Sequence, residues 1–233
     1  CRLLDNMSGE AIEKKNGTNA PSLPKAANDA TDLNKLTADV NIAISDVTSY
    51  LSMTSNAVED VSGNKVVAAE ANAPLKITTF TEDTTDAELI GFSINMNAGG
   101  ALSLTFKETV NPAHLVVGQL TLQASATAGP SVTLTALENP TNAPNTVITF
   151  GLDADDLNKL KATDNLCTGE SDSWISVSAT LIKDMNEQAT TAIQATSALQ
   201  VRASGYTADT TKPVVNSFTA NMNTGVLTIV LSE

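Results

Sequence analysis

Leu102, Leu104 and Phe106 alternate with Ala101, Ser103, Thr105 and Lys107. A period of two puts one set of side chains on one face of a strand, so the apolar set is assigned to a buried face. Upstream, Leu89, Phe92, Ile94 and Met96 fall mostly at alternate positions. The intervening "NAGG" reads as a turn, because Asn and Gly accept positive φ. Residues 88–108 are therefore predicted to form a β-hairpin. The pattern returns late in the chain, where Val215, Phe218, Ala220 and Met222 precede "NTG" and Leu227, Ile229 and Leu231 follow it. Further strands are predicted at residues 116–123, 131–137, 146–151, 173–179 and 198–204. "DADDLNKLKA" breaks the strand pattern. It offers Asp153 as a helix N-cap, acidic residues in the first turn, and Leu157 and Leu160 on one face.

The two hairpin patterns belong to a longer internal repeat. "DLNKL" occurs at 32–36 and again at 156–160, an offset of 124. "YLSMTSNAVEDV" at 50–61 aligns with "WISVSATLIKDM" at 174–185 at the same offset. Phe80 to Thr85 aligns with Tyr206 to Thr211 at an offset of 126. The matches keep one order, and the period is about 125 residues, the size of one ordinary domain. The expected organisation is one complete unit over 86–211. Residues 1–85 read as an incomplete unit lacking its opening strands, and 212–233 as the opening hairpin of a further unit. The short helix is expected once per unit, with Asn28 or Asp29 as cap in the first copy. Short strands punctuated by turns make the fold class all-β, with each complete unit a β-sandwich.

Composition narrows the functional classes. Aromatic residues are only 3%, so the core must rest on Val, Ile, Leu and Ala. The formal net charge of −13 opposes binding to nucleic acid and to anionic membrane surfaces. No apolar run approaches the ~20 residues that span a bilayer, so no membrane insertion is expected. Thr, Ser, Ala and Asn are abundant, a composition shared by many extracellular β-proteins and suited to half-buried strand surfaces.

"DTTKPVV…GVLTIVLSE", "FKETVNPAHL", "LIKDMNEQA" and "VEDVSGNKVV" together resemble bacterial Ig-like repeats of the S-layer and adhesin type. In that family a "DTTxP" linker opens each domain, a "TFSExV" strand follows, and a "VTDxxGN" turn precedes the last strands. Asp209-Thr210-Thr211-Lys212-Pro213 fits the linker, whereas Asp83-Thr84-Thr85-Asp86-Ala87 lacks the proline. Asp60-Val61-Ser62-Gly63-Asn64 fits the turn, whereas Asp184-Met185-Asn186-Glu187-Gln188 has lost the Gly-Asn. The resemblance implies tandem Ig-like sandwiches, an extracellular or cell-surface location, a role as spacer, stalk or surface-layer element, and no enzymatic activity.

Candidate chemistry is sparse. His114 is the single histidine, in "NPAHLVV" before a strand, and reads as an exposed loop residue; no nucleophile motif accompanies it, and no catalytic residue is assigned. Zinc is disfavoured by one His and two distant Cys. Calcium takes clustered oxygens, and its candidate ligands are Asp153, Asp155 and Asp156 at the helix start, with Asp83, Asp86 and Asp209 at the unit boundaries. Helix capping and linker turns are the competing readings of these aspartates, and are preferred. Calcium is thus the one cofactor considered. Asn6-Met7-Ser8 and Asn16-Gly17-Thr18 are N-glycosylation sequons, which makes Asn6 and Asn16 the acceptor candidates of a glycoprotein. Cys1 and Cys167 are candidates for one disulfide, within or between chains. Tyr50 and Trp174, at one repeat position, read as core aromatics.

A unit without its opening hairpin exposes a groove and unpaired strand edges, and a lone hairpin is unstable in water. The two defects are complementary. The expectation is a structural subunit of an extracellular filament or surface fibre, self-associating head to tail by strand complementation. Val215, Phe218, Met222, Leu227, Ile229 and Leu231 would form the donor core. The alternative is an adhesin stalk or binding module, cut from a longer array, whose loops meet a glycan or a surface protein.

Overall fold

Alternating apolar residues make a strand face sticky but leave its partner unspecified; pairing is set by the backbone ladders. A computed structural model of the chain describes residues 45–97 and 99–232. Asn6, Asn16, Cys1 and the first-copy helix cap lie outside the described residues. The chain divides into two units, Cys1–Thr85 and Asp86–Glu233.

In the first unit, β1 (Tyr50–Leu51) runs antiparallel to β2 (Leu75–Lys76), with Tyr50 opposite Lys76 and Leu51 opposite Leu75. The ladder continues as isolated bridges, Met53 to Ala69 and Glu59 to Lys65. The connecting turn is held by Asp60, whose Oδ1 accepts from the N–H groups of Ser62 and Asn64 at 2.8 and 2.9 Å.

The second unit contains two facing sheets. The first has β3 (Leu89–Asn95), β4 (Ala101–Asn111), β7 (Leu137–Glu138), β8 (Asn145–Leu152), β10 (Lys183–Asp184) and β12 (Tyr206–Thr207). Its order is β12-β3-β4-β8-β7, with β10 on the far end of β4. The second has β5 (Leu120–Gln123), β6 (Ser131–Thr133), β9 (Trp174–Val177) and β11 (Leu199–Gln200), in the order β11-β9-β5-β6. Phe92, Leu102, Leu104, Phe106, Ile148 and Phe150 from one sheet meet Leu120, Leu122, Ile175 and Val177 from the other in a single core. The strand-rich class and the 88–108 hairpin agree with the periodicity. The expected strands at 116–123, 131–137 and 198–204 are shorter in the structure, since a 3₁₀ turn occupies Val117–Gln119 and pairing stops at Thr133 and Gln200. β4 instead runs three residues past the expected hairpin, because Thr109 and Val110 are buried and its end pairs with β10.

The helix α1 (Ala154–Ala162) starts as its sequence demands. Asp153 is the N-cap and accepts from the Asp155 N–H at 2.9 Å, while Leu157 and Leu160 face the core. Gly100 makes room for it, since a Cβ there would sit 3.1 Å from Leu157 Cδ1 and 3.2 Å from Leu152 Cδ1.

Several hydrogen bonds of the first unit have counterparts 124 residues on. β9 opposes β11 with Trp174 facing Gln200 and Ile175 facing Leu199, the register of β1 and β2. Met53 and Ala69 exchange two bonds of 2.9 and 3.0 Å, and Val177 and Ile193 exchange two of 3.0 and 2.9 Å. Ser49 Oγ donates to Ser45 O at 2.6 Å, and Ser173 Oγ to Gly169 O at 2.6 Å. Asp184 Oδ1 accepts from Asn186 and Gln188 as Asp60 does from Ser62 and Asn64. Glu187 holds the positive φ, +67°, that Gly63 holds at +82° in the first copy, so the turn survives the loss of its Gly-Asn.

Candidate assembly interface

Late in the second unit, β13 (Val215–Asn221) and β14 (Val226–Leu231) pair with each other and, among the described residues, with no other strand. Their open end is tied by Ser232 N–H to Val214 O and Val214 N–H to Ser232 Oγ, both 2.9 Å. The pairing repeats that of β3 and β4. Phe92 faces Leu104 and Ile94 faces Leu102; Phe218 faces Ile229 and Ala220 faces Leu227. Both ladders slip at the same place, between Leu89 and Gly91 in one and between Val215 and Ser217 in the other. The turns match as well: Asn97 N–H bonds Asn95 Oδ1 and Asn223 N–H bonds Asn221 Oδ1, each at 3.0 Å.

Burial separates the two hairpins. Phe92 is 0% exposed and Phe218 69%; Leu104 is 0% exposed and Ile229 53%. Each expected donor-core residue, Val215, Phe218, Met222, Leu227, Ile229 and Leu231, is exposed, while its counterpart Leu89, Phe92, Met96, Leu102, Leu104 or Phe106 is buried. A hairpin with no second layer has nothing to pack its apolar face against.

The first unit shows the reciprocal feature. Ile175, Val177, Ile182 and Val201 are buried in the second unit. Their counterparts at the 124 offset are Leu51, Met53 and Val58, all partly exposed, and Ile77, which is exposed.

The linker after the sandwich is clasped by side chains. Asn97 Oδ1 accepts from Thr210 N–H at 3.0 Å and Thr210 Oγ1 at 3.1 Å. Asp209 pairs with Lys161 at 2.6 Å and accepts from Thr211 N–H at 2.9 Å. The Lys161 and Thr211 donors hold the Asp209 carboxyl below its ordinary range. Asp83 accepts from Thr85 N–H at 3.0 Å, the same turn in the first copy, and Asp86 is exposed. Nothing at the sequence position of Asn97 marks this role except the recurrence of Asn at 223.

The helix aspartates do not converge. Asp153 caps the helix, Asp155 is exposed, and Asp156 turns into the protein. Asp156 accepts from Thr135 N–H at 2.5 Å, Thr135 Oγ1 at 2.9 Å, Ala136 N–H at 3.2 Å and Lys159 Nζ at 3.0 Å. Burial is the largest single influence and raises its pKa, but these donors together hold it below the usual carboxylate range. It is a structural pin between α1 and the segment after β6. A carboxylate pair that the sequence reading missed is Glu108 with Asp184, within 4.8 Å of each other.

His114 is half-buried rather than exposed. Its Nε2 lies 3.6 Å from Glu187 Oε1, and its Nδ1 is shielded with no hydrogen-bond partner among the described residues. Glu187 itself bonds Lys183 Nζ at 2.7 Å. Cys167 is a free thiol in the core, and burial pushes its pKa up to about 12. Tyr50 and Trp174 occupy equivalent strand positions but neither is a core residue: Tyr50 is exposed, and half-buried Trp174 bonds Ser171 O through Nε1. Among the described residues, no helix is long and apolar enough to cross a membrane. Compared with known protein families, with curated proteins and with solved structures, the chain matches none.

Proposed function

We propose that the chain is a structural subunit of an extracellular filament or cell-surface fibre, built from Ig-like units and joined head to tail by strand complementation. The observation that carries this reading is the hairpin β13–β14. It reproduces the register and the slip of β3–β4, yet exposes the face that β3–β4 buries. The occupant it fits is the first unit of a second copy. That unit holds counterparts of β9 and β11, the strands whose sheet faces β3–β4 across the core; of their apolar side chains Leu51 and Met53 are partly exposed, and Leu75 and Ile77 are exposed.

Strand order supports the Ig-like assignment. β7-β8-β4-β3 facing β6-β5-β9-β11 corresponds to D-E-B-A facing C′-C-F-G in immunoglobulin lettering. Placing six apolar side chains in a core at ~1.5–3 kcal/mol each gives a gross gain of roughly 9–18 kcal/mol, before ordering costs. A head-to-tail contact between two different surfaces of one chain propagates into an open fibre wherever its rotation does not close a ring.

Electron microscopy of the purified chain is the test. Filaments are expected, and deleting residues 212–233 should abolish them. Filaments that persist without the hairpin would refute the joint. The alternative, a stalk within a longer array, has the next segment of the same chain covering the hairpin. Intact mass of the protein from its source separates the two: a mass well above that of 233 residues supports the stalk.

A further inference from the structure

Resting on the joint proposed above, we infer its register and its polar lock: β13 of one copy lies parallel to residues 79–81 of the next, and its Asn223 accepts from that copy's Thr84. The template is the second unit. There β12 runs parallel to β3, with Tyr206 opposite Ile94 and Thr207 opposite Asn95. Ile94 N–H bonds Gly205 O at 2.8 Å and Met96 N–H bonds Thr207 O at 2.9 Å. Beyond it, Asn97 Oδ1 takes two donors from Thr210.

The paired backbone groups, the asparagine and the threonines of this template have counterparts at the 126 offset, while Thr79 stands where Gly205 does, so the neighbouring backbone must give way to its Cβ. Residues 79–81 stand for 205–207, Thr84 for Thr210, and Thr85 for Thr211. On the donor side Ala220, Asn221, Met222 and Asn223 stand for Ile94, Asn95, Met96 and Asn97. In the joint, Phe80 therefore faces Ala220 and Thr81 faces Asn221. The Ala220 and Met222 N–H groups donate to the backbone carbonyls of Thr79 and Thr81, and the Asn223 side-chain Oδ1 accepts from the Thr84 N–H and hydroxyl. The donor turn is already shaped for this, because Asn223 N–H bonds Asn221 Oδ1 as Asn97 N–H bonds Asn95 Oδ1. Pairing alone tolerates slippage by two residues, which keeps the same face inward. A single acceptor placed to meet one threonine removes that freedom.

Single-cysteine chains test the register, in a background carrying Cys1→Ser and Cys167→Ala. Thr81→Cys chains are mixed with Asn221→Cys chains and oxidised. Facing residues lie within the ~4.4–6.8 Å Cα separation that a disulfide spans. A control mixture pairs Thr81→Cys with Thr219→Cys, about 7 Å further along the strand. The expected result is a covalent heterodimer in the first mixture and none in the control. Asn223→Ala should raise the concentration needed for assembly about tenfold through loss of the lock. If filaments form but the cross-link appears in the control mixture, or in neither, the register is overturned and the joint stands. An unchanged assembly threshold in Asn223→Ala overturns the lock. If the parent chain does not assemble at all, the joint falls and the register with it.

Discussion

Phe92 and Phe218 are one residue type at one register position in two hairpins, and truncating each to alanine should give opposite phenotypes. Phe92 lies opposite Leu104 in the core, fully buried. Removing a buried phenylalanine side chain costs about 3–5 kcal/mol, so Phe92→Ala should lower the melting temperature of the second unit by roughly 10–20 °C. Phe218 is 69% exposed, and its truncation should change the stability of that unit by no more than the ±0.5 kcal/mol typical of surface sites, about 2 °C or less in melting temperature. Trp174, the single tryptophan, lies in β9 of the second unit, so its fluorescence reports that unit alone. In the assembled state the prediction reverses. Phe218 then enters a core, and the same ~3–5 kcal/mol weakens the joint by roughly a hundred- to a few-thousand-fold. Sedimentation of assembled material against concentration reads this directly. Two results would refute the reasoning: assembly of Phe218→Ala at parental concentrations, or loss of Trp174-reported stability as large as that of Phe92→Ala. The second outcome would make the hairpin part of its own unit's core.

Four further predictions concern the second unit. Asp156→Ala should destabilise it by about 3 kcal/mol, because Thr135 and Ala136 lose a buried acceptor and Lys159 its partner; denaturant unfolding followed by Trp174 measures this. Asp156 and Asp209 have depressed pKa values, so their contribution is present above the unfolded carboxylate value of ~3.9 and is lost as pH falls through the lower folded values. Stability should therefore be level with respect to these groups above about pH 5 and fall below pH 4, and Asp156→Asn should remove part of that fall. Cys167 should resist thiol reagents in the folded chain and react on unfolding; rapid labelling of the native thiol would contradict its burial and its pKa of about 12. Gly205→Ala should cost about 1–3 kcal/mol, since a Cβ there meets Arg202 O at 2.8 Å and Phe92 O at 3.2 Å, both backbone atoms that cannot swing away.

What the sequence made legible follows from periodicity and local chemistry. The alternation of Leu102, Leu104 and Phe106 marks a buried face, and Asp153 before an acidic turn marks a helix start; both are local signals. Met53 with Ala69 and Val177 with Ile193, matched at an offset of 124, exchange the same two hydrogen bonds although both side chains differ between the copies. Long-range pairing was not legible. Nothing local in "GYTAD" announces that Tyr206 and Thr207 join β3 in parallel, or that Thr210 reaches Asn97. Asp156 reads from the sequence as a first-turn acid complementing the helix dipole, with calcium the less favoured reading, and only the placement of Thr135 shows that it points inward. His114 looked like a loop residue because the turn of Asp184 to Gln188, which brings Glu187 beside it, is distant in sequence.

A reconstruction of the assembled filament at side-chain resolution tests the central claim most directly. Residues 215–231 of each copy should be buried in the first unit of its neighbour, with Phe218 and Ile229 packed over Leu51, Met53 and Ile77. A hairpin left in solvent, or one covered by a later segment of its own chain, would contradict it.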